Sequence, residues 1–312
     1  MRPLVSGDTI GIVSPASTVE RRVFSEFRDL AAEHGYATRV FGEFDEGFGR
    51  MAADDRRRAE NLEAAFADDS VAAILCSRGG YGSGRLLDII EPAAIRSKIF
   101  VGYSDVTSLI LHLSATAGIM PFHGPMAADL TGDANQWTRE RFFSMLAGER
   151  LSYSLERADF TPVREGVATG PIVGGNISII ESLLGTGSLC IPDGAVLLLE
   201  DVNEFMYSFD RSLVHLRRAG VFDRISALVF ADLKIKDQAS RDNSLGLLLE
   251  EVIDSHFGAF EGPIALDLPC GHTDRKLTIP IGAQTTLTVG DTRLVLEFED
   301  FWKSHPAGAL AA

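Results

Sequence analysis

An unbroken apolar run, Val-Ala-Ala-Ile-Leu-Cys at residues 71–76, constrains the fold more than any other segment. A strand without polar alternation is buried on both faces, and such strands belong to parallel sheets covered by helices. Apolar residues recur at helical spacing on both sides of residues 36–41, which read as another strand. This alternation of strands and helices predicts the α/β class, with an open, doubly wound, mostly parallel sheet in the N-terminal part.

The pattern changes beyond a helix expected near residues 138–147. Strands become shorter, apolar and polar residues alternate more often, and glycine and proline interrupt the chain. We therefore predict an α/β domain over residues 1–150, a connection over residues 151–164 and a β-rich α+β domain over residues 165–312, of which the tail 304–312 is expected to fray.

Ser104 lies where the pattern changes abruptly from strand to helix. An apolar run ends at Gly102, and a helical pattern begins at Val106 and ends at Gly118. A serine on such a turn exposes its hydroxyl at the sheet edge, and the N–H groups of the new helix point toward the same space. Because Val106 replaces the second glycine of the G-x-S-x-G pattern, a nucleophile and a plain helix cap both remain open.

A glycine-rich loop, Ser-Arg-Gly-Gly-Tyr-Gly-Ser-Gly-Arg at residues 77–85, follows the central apolar run. Its glycine spacing differs from G-x-G-x-x-G, and no lysine-serine pair makes it a P-loop, so nucleotide binding is disfavoured. A plain turn and a loop whose N–H groups stabilise a developing negative charge both remain open. Strand ends of an open sheet share one crevice, so we expect this loop and Ser104 at the same edge.

One carboxylate and two histidines could complete a hydrolytic site. Glu200 directly follows a buried apolar run, and a carboxylate there needs a partner; beside a histidine it would fix the tautomer of the ring. His272 lies in an irregular loop and is either a general base or simply solvated. His123 lies in a tight turn and could line the site. Ser17 with Glu20 predicts a capping box for the first helix.

Composition excludes several classes of function. The formal net charge is −15 and no basic patch compensates for it, so we expect no nucleic acid and no membrane as partner. No run has signal-peptide or membrane-span character. Three widely separated cysteines suit the reducing cytoplasm rather than a disulfide framework. We predict no metal site and no cofactor, because no ligand motif is present.

Taken together, these motifs closely resemble the LD-carboxypeptidase family, serine peptidases that cleave an amide bond between an L- and a D-centre. The resemblance covers almost the whole chain. Each motif alone is weak, but their order along the chain is specific. The matching motifs are Gly7-Asp8, Ser14-Pro15, Ser77-Arg78-Gly79-Gly80-Tyr81-Gly82, Gly102-Tyr103-Ser104-Asp105, Gly124-Pro125-Met126, Gly174-Gly175-Asn176, Leu199-Glu200-Asp201-Val202-Asn203-Glu204, Gly271-His272 and Pro280-Ile281-Gly282.

The resemblance implies a role for each of several residues. The family's catalytic triad falls on Ser104, Glu200 and His272. Its oxyanion donors fall on the N–H of Asp105 and on the turn at Gly79 and Gly80, of which we favour Gly80. Candidates for binding the substrate are Arg78, Gly79 and Asn176. The family fold, an open α/β domain followed by a β-rich domain with the site at their junction, agrees with the division predicted above.

The resemblance also implies a substrate and an assembly. We expect a cytoplasmic homodimer that releases D-alanine, through an acyl-enzyme, from the muropeptide L-Ala-γ-D-Glu-meso-diaminopimelate-D-Ala during wall recycling. One alternative is an immunity-type hydrolase that cleaves a peptidyl-nucleotide antibiotic. Another is a non-catalytic module that binds a peptide or nucleotide. The sequence Glu204-Phe205-Met206-Tyr207 keeps a tyrosine but lacks a proline that is frequent in the family, and this departure falls on a loop that could shape contacts with the substrate.

Overall fold

The computed structural model describes residues 1–42, 47–231, 233–238 and 240–303, so the tail 304–312 lies outside the described residues. The strands are β1 (Thr9–Val13), β2 (Ala37–Val40), β3 (Val71–Cys76), β4 (Ile99–Gly102), β5 (Phe122–His123), β6 (Ser152–Glu156), β7 (Thr161–Arg164), β8 (Gly166–Asn176), β9 (Ala195–Glu200), β10 (Ile225–Ala231), β11 (Ile264–Leu268), β12 (Ile279–Pro280), β13 (Gln284–Val289) and β14 (Arg293–Phe298). The helices are α1 (Arg21–Glu33), α2 (Asp55–Ala67), α3 (Thr107–Ala117), α4 (Ala127–Leu130), α5 (Gln136–Leu146), α6 (Ile177–Leu183), α7 (Met206–Arg218) and α8 (Leu249–Phe257). Within these ranges no helix is long and apolar enough to cross a bilayer.

The first sheet has the strand order β12-β5-β4-β3-β1-β2. Strands β1 to β5 pair in parallel, and β12 joins the edge antiparallel to β5. The apolar run of β3 lies in the middle of this sheet and is almost entirely buried, as a strand covered on both faces must be. The predicted α/β class with an open, mostly parallel first sheet is confirmed.

The second sheet has the strand order β6-β14-β13-β8-β9-β10-β11-β7. Strands β8 to β11 are parallel, whereas β6, β14, β13 and β8 form an antiparallel half. Residues 151–164, expected as a connection, contribute the two edge strands β6 and β7. Tyr153 and Leu155 of β6 are buried, so the period-two alternation of this segment supports pairing rather than an exposed link.

Two features bring the sheets together near Ser104. Gly175, at the end of β8, approaches α3 so closely that a side chain there would lie 2.7 Å from the Thr107 methyl group. The Thr107 hydroxyl accepts a hydrogen bond from the backbone N–H of Asn176 at 3.2 Å. Asn176 pairs in register with Glu200 on β9. The end of β9 is thereby held against the helix that follows Ser104.

Candidate active site

Ser104 lies on a strained turn between β4 and α3. Its φ is +62°, a left-handed conformation that costs a residue with a side chain on the order of 1 kcal/mol and is typical of functional turns. Residues Ser104–Val106 form a 3₁₀ turn that leads directly into α3. A side chain at Gly102 would lie 2.6 Å from Val106 Cγ1, so glycine at this position makes room for the valine that replaces the second glycine of the pattern.

His272 bridges Ser104 and Glu200. Its Nε2 lies 3.0 Å from Ser104 Oγ, and its Nδ1 lies 2.6 Å from Glu200 Oε2. An ionised carboxylate only accepts hydrogen bonds, so Nδ1 carries the proton and the Nε2 of the neutral ring accepts from the serine hydroxyl. The structure therefore brings two distant residues into contact with His272: Ser104, which lies 168 positions earlier in the chain, and Glu200, which lies 72 positions earlier. This arrangement can remove a proton from the serine as it attacks.

The surroundings of His272 favour its protonated form. Burial alone lowers the pKa of the ring, but the hydrogen bond and charge of Glu200, with smaller contributions from Asp129 and Asp201, outweigh it and raise the pKa above the ordinary 6.5. The Glu200 side chain is 0% exposed, while that of His272 is 21% exposed. A buried carboxylate against a partly exposed imidazole stabilises the imidazolium that forms during proton transfer.

Backbone shape and a tyrosine hold the histidine loop in place. Gly271 has a φ of +72°, and a side chain there would lie 2.9 Å from Glu200 Oε2, so only glycine lets the loop approach the carboxylate. The Tyr103 ring packs edge-on against the His272 ring at 5.1 Å. The Tyr103 hydroxyl donates to Asp129 at 3.0 Å, and Lys276, on the histidine loop, lies 3.3 Å from the same carboxylate oxygen.

The glycine loop approaches Ser104 from the neighbouring strand. A side chain at Gly79 would lie 3.0 Å from Ser104 Cβ. The Gly79 carbonyl accepts from the N–H of Ser17 at 3.3 Å. Because the C=O and N–H of a trans peptide point in opposite directions, the Gly80 N–H points away from Ser17. This geometry favours the oxyanion interpretation over a plain turn.

The capping box expected at Ser17 and Glu20 is wrong. Glu20 is itself the N-cap of α1, with extended backbone and no side-chain hydrogen bond. The Ser17 hydroxyl instead accepts from the N–H of Tyr81 at 3.2 Å. It also occupies the space beside Gly80, whose φ is +114°, because a side chain there would lie 2.2 Å from it. The spacing of neighbouring residues cannot predict a contact between residues that are so distant in the chain.

A cavity of about 820 Å³ opens above these groups. Ser104, His272, Arg78, Gly79 and Gly80 line it. Further lining residues are Val19, Glu20, Arg22, Val23, Tyr103, Met126, Ala128, Asp129, Thr131, Gly132, Asp133, Val202 and Asn203. The cavity therefore joins the nucleophile, its base and the glycine loop in one space large enough for a short peptide.

Asn176, named above as a candidate for binding the substrate, is not among the residues that line this cavity. Its side-chain oxygen accepts from the N–H of Ile179 at the start of α6, and its side-chain nitrogen donates to Asp201 at 3.2 Å. Its hydrogen-bonding groups thus serve the helix cap and a neighbouring carboxylate. An asparagine after two glycines predicts such a cap as readily as a ligand contact.

His123 also lies outside the cavity lining. It is fully buried on β5, 5.8 Å from the Tyr103 ring, and neither ring nitrogen has a hydrogen-bond partner among the described residues. Burial lowers the pKa of His123 to about 4. The ring is therefore neutral near pH 7 and belongs to the packing behind the site.

Replacing His123 by phenylalanine should make the protein more resistant to acid. Between pH 6.5 and about 4 the unfolded histidine takes up a proton that the folded one refuses, so the wild type loses about 3 kcal/mol of stability as pH falls. Urea unfolding at several pH values should show this loss reduced in His123→Phe. Equal loss in both proteins would refute the prediction.

Asp201 changes the pH dependence of folding stability in the opposite direction. For this reason the wild type has to be compared with the His123→Phe variant. Burial raises the pKa of Asp201 to about 6, so between pH 4 and 6 the folded carboxyl keeps a proton that the unfolded one releases. This contribution lowers stability as pH rises. It is common to both proteins, and the difference between them isolates His123.

Two charged side chains without a predicted role hold the glycine loop. The Asp105 carboxylate accepts from the N–H of Ser83 at 2.8 Å and of Gly82 at 3.3 Å. The buried Arg58 guanidinium donates to the carbonyls of Gly82, at 2.8 Å, and Pro15. Residues 56–58 are three consecutive arginines, a pattern that does not predict that the third of them is buried. In the described part of the chain no cluster of three His, Cys, Asp or Glu side chains could hold a metal ion.

Comparison with known proteins gives one consistent result. Residues 10–124 match the family model of the LD-carboxypeptidase N-terminal domain, and residues 169–287 match that of its C-terminal domain. The chain is 30% identical over 300 residues to a probable murein peptide carboxypeptidase of Bacillus subtilis, covering 95% of this chain and 93% of the relative. It is 27% identical to a murein tetrapeptide carboxypeptidase of Pseudomonas aeruginosa, covering 89% and 92%.

Two solved structures share the fold. A muramoyltetrapeptide carboxypeptidase from Oxalobacter formigenes superposes with a TM-score of 0.82 at 25% identity, covering 93% of this chain and 98% of the other. An MccF-like protein from Bacillus anthracis superposes with a TM-score of 0.86 at 24% identity, covering 96% and 99%. Both structures extend over nearly the full length of this chain.

Proposed function

We propose, on the premise that this chain belongs to the LD-carboxypeptidase family and is a serine-type carboxypeptidase, that it releases D-alanine from a murein tetrapeptide through an acyl-enzyme. The observation that carries the proposal is the hydrogen-bonded chain from Ser104 through His272 to Glu200, open to the cavity on the serine side. The names of the murein carboxypeptidase relatives support the substrate class.

In this proposal the first half-reaction is acylation of Ser104. His272 takes the proton of the Ser104 hydroxyl as the oxygen attacks the carbonyl carbon of the L,D amide, and Glu200 holds the resulting imidazolium. His272 then gives this proton to the leaving nitrogen, and the D-amino acid departs. In the second half-reaction, water gives a proton to His272 and attacks the acyl ester. His272 then returns this proton to Ser104 Oγ as the shortened peptide leaves, which restores the starting enzyme.

Two backbone N–H groups are proposed to stabilise the negative oxygen of each tetrahedral intermediate. One belongs to Asp105, the residue after the nucleophile, and the other to Gly80. The position of the glycine loop beside Ser104 supports this assignment, as does the orientation that Ser17 imposes on the Gly79–Gly80 peptide. One such donor contributes roughly 3–4 kcal/mol to the transition state in known enzymes.

The proposed function is tested by measuring free D-alanine after incubation with L-Ala-γ-D-Glu-meso-diaminopimelate-D-Ala. The same peptide ending in L-alanine is the stereochemical control. A peptidyl-nucleotide amide assayed beside it tests the immunity-type alternative. Release of D-alanine alone supports the proposal; turnover confined to the nucleotide conjugate would replace the substrate while keeping the chemistry, and cleavage of neither would reject both.

We propose that Arg78 binds the terminal carboxylate of the substrate. Two arginines line the cavity. Arg22 is paired with Glu20 at 2.7 Å, whereas Arg78 donates to the Thr18 carbonyl at 3.4 Å. A guanidinium that lines the same cavity as Ser104 and pairs with no carboxylate among the described residues suits a carboxylate ligand.

Arg78→Met should therefore lose the preference for a free carboxylate. A hydrogen bond to a charged group contributes about 1.5–3 kcal/mol, so kcat/KM for the tetrapeptide should fall roughly 10- to 100-fold. The same peptide ending in D-alaninamide should be cleaved equally by both proteins. Arg22→Met is the matched control, since it removes a paired arginine from the same cavity. Equal losses on the acid and the amide would contradict the assignment.

A further inference from the structure

We infer that the Asp105 side chain is a positioning residue that fixes the glycine loop against the nucleophile turn, an inference that rests on the proposed function of this site. Asp105 is 7% exposed and directly follows Ser104. Its carboxylate accepts from the backbone N–H groups of Gly82 and Ser83, two and three residues beyond Gly80. The residue that provides one proposed oxyanion donor through its N–H thus holds the second through its carboxylate.

The link between loop and turn is reciprocal. The Ser83 hydroxyl donates to the backbone carbonyl of Asp105 at 2.6 Å and lies 2.8 Å from the Ser108 hydroxyl on α3. Ser83 is fully buried, so water does not compete for these bonds. Backbone and side chain of Asp105 are therefore both bonded to one loop residue. A shift of the loop relative to Ser104 would break both bonds.

The opposite side of the loop is held as well. Arg58 is 2% exposed and donates to the carbonyls of Gly82 and Pro15, which joins the glycine loop to the turn after β1. Ser17, two residues after Pro15, bonds the loop at Gly79 and Tyr81. With that side fixed, the Asp105 carboxylate sets the distance from the loop to the nucleophile. This distance determines whether two N–H groups can reach one oxygen atom.

Asp105→Asn tests the inference, because the amide is isosteric but offers one acceptor oxygen where the carboxylate offers two. The first measurement is the rate at which a fluorophosphonate modifies Ser104, since the phosphonyl oxygen needs the same N–H groups and no peptide substrate is involved. We expect modification to slow at least 10-fold. The pH midpoint of the reaction should stay at the wild-type value, because the Ser104–His272–Glu200 chain is untouched.

Ser83→Ala is the second variant: it removes the return bond to the Asp105 carbonyl and the contact with the Ser108 hydroxyl, and it leaves the Asp105 carboxylate in place. It is expected to fold, since a buried hydroxyl is replaced by a smaller group, and to slow modification less than Asp105→Asn. Asp8→Asn is the matched control, because Asp8 also accepts from a backbone N–H, that of Val5 at 2.8 Å, far along the chain from the glycine loop. It should react at the wild-type rate.

The outcomes separate the two proposals. Wild-type modification rates in both Asp105→Asn and Ser83→Ala would overturn the positioning role, as would a slower rate accompanied by a shifted pH midpoint. Failure of the wild type to release D-alanine would instead overturn the proposed substrate and leave the fluorophosphonate result valid. If Asp105→Asn does not fold, the rate of Ser83→Ala alone decides: slowing supports the role and a wild-type rate rejects it.

Discussion

Ser104→Ala should reduce kcat by roughly 10⁴- to 10⁶-fold, because no other group at the turn can form the acyl-enzyme. The alanine keeps the backbone that carries both proposed oxyanion donors, so substrate should still bind with little change in affinity. D-alanine release in single- and multiple-turnover assays gives kcat, and calorimetric titration of the inactive variant with the tetrapeptide gives the dissociation constant. The two together separate loss of chemistry from loss of binding.

Two controls accompany this substitution. Ser255→Ala removes a hydroxyl on α8 that donates to a carbonyl of the same helix, and it should leave kcat unchanged. Mass spectrometry after fluorophosphonate treatment should show one adduct on the wild type and none on Ser104→Ala. Turnover by the variant above 1% of wild type, or an unmodified wild type as expected of a non-catalytic binding module, would refute the nucleophile assignment.

Glu200→Gln should have the second largest effect, a loss of roughly 10³- to 10⁴-fold in kcat. A glutamine amide can donate to His272 Nδ1, which stabilises the tautomer whose Nε2 carries the proton and cannot accept from Ser104. The pH dependence should change as well. The wild type should lose activity as pH falls through the raised pKa of His272. Without the Glu200 charge, burial dominates and the midpoint should move to lower pH.

Measurement of kcat/KM between pH 5 and 9 distinguishes this mechanism from simple damage to the fold. Glu204→Gln is the control, because Glu204 lies four residues after Glu200 in the loop that follows β9, and the triad hydrogen bonds seen among the described residues do not include it. It should keep the wild-type rate and midpoint. A Glu200→Gln variant with reduced activity but an unmoved midpoint would show that Glu200 does not act through His272.

The spacing of apolar residues, together with the glycines and prolines that end each segment, was sufficient to predict the fold class. The apolar run of β3 demanded burial on both faces, and its position in the centre of the parallel sheet follows from that. The edge strands of the second sheet were harder to predict. Residues 151–155 have the alternation of a strand, but residues 151–164 as a whole were assigned to a connection between domains, and they form the edge strands β6 and β7.

The residues of the candidate site also fall into two groups: those that a local sequence pattern predicts, and those whose role depends on distant contacts. Ser104 and Glu200 lie at the ends of buried strands, and His272 was open between a general base and a solvated loop residue. The resemblance to LD-carboxypeptidases, now confirmed, joined the three in one predicted site. The roles of Ser17, Arg58 and the Asp105 carboxylate depend on partners 20 or more residues away in the chain, and no local pattern reports such contacts. Asn176 and His123 lie outside the cavity lining for the converse reason, since neighbouring elements enclose them.

The loop that carries His272 leaves the second sheet at β11 and enters the first at β12, paired with β5. A ribosome makes the nucleophile turn early and this loop late, and domains made first fold first. In the proposed mechanism, Ser104 therefore has no base until the loop that carries His272 has emerged. On the same mechanism, a chain that ends before this loop should hydrolyse no amide, and the order of synthesis itself delays activity until the link between the two sheets has been made.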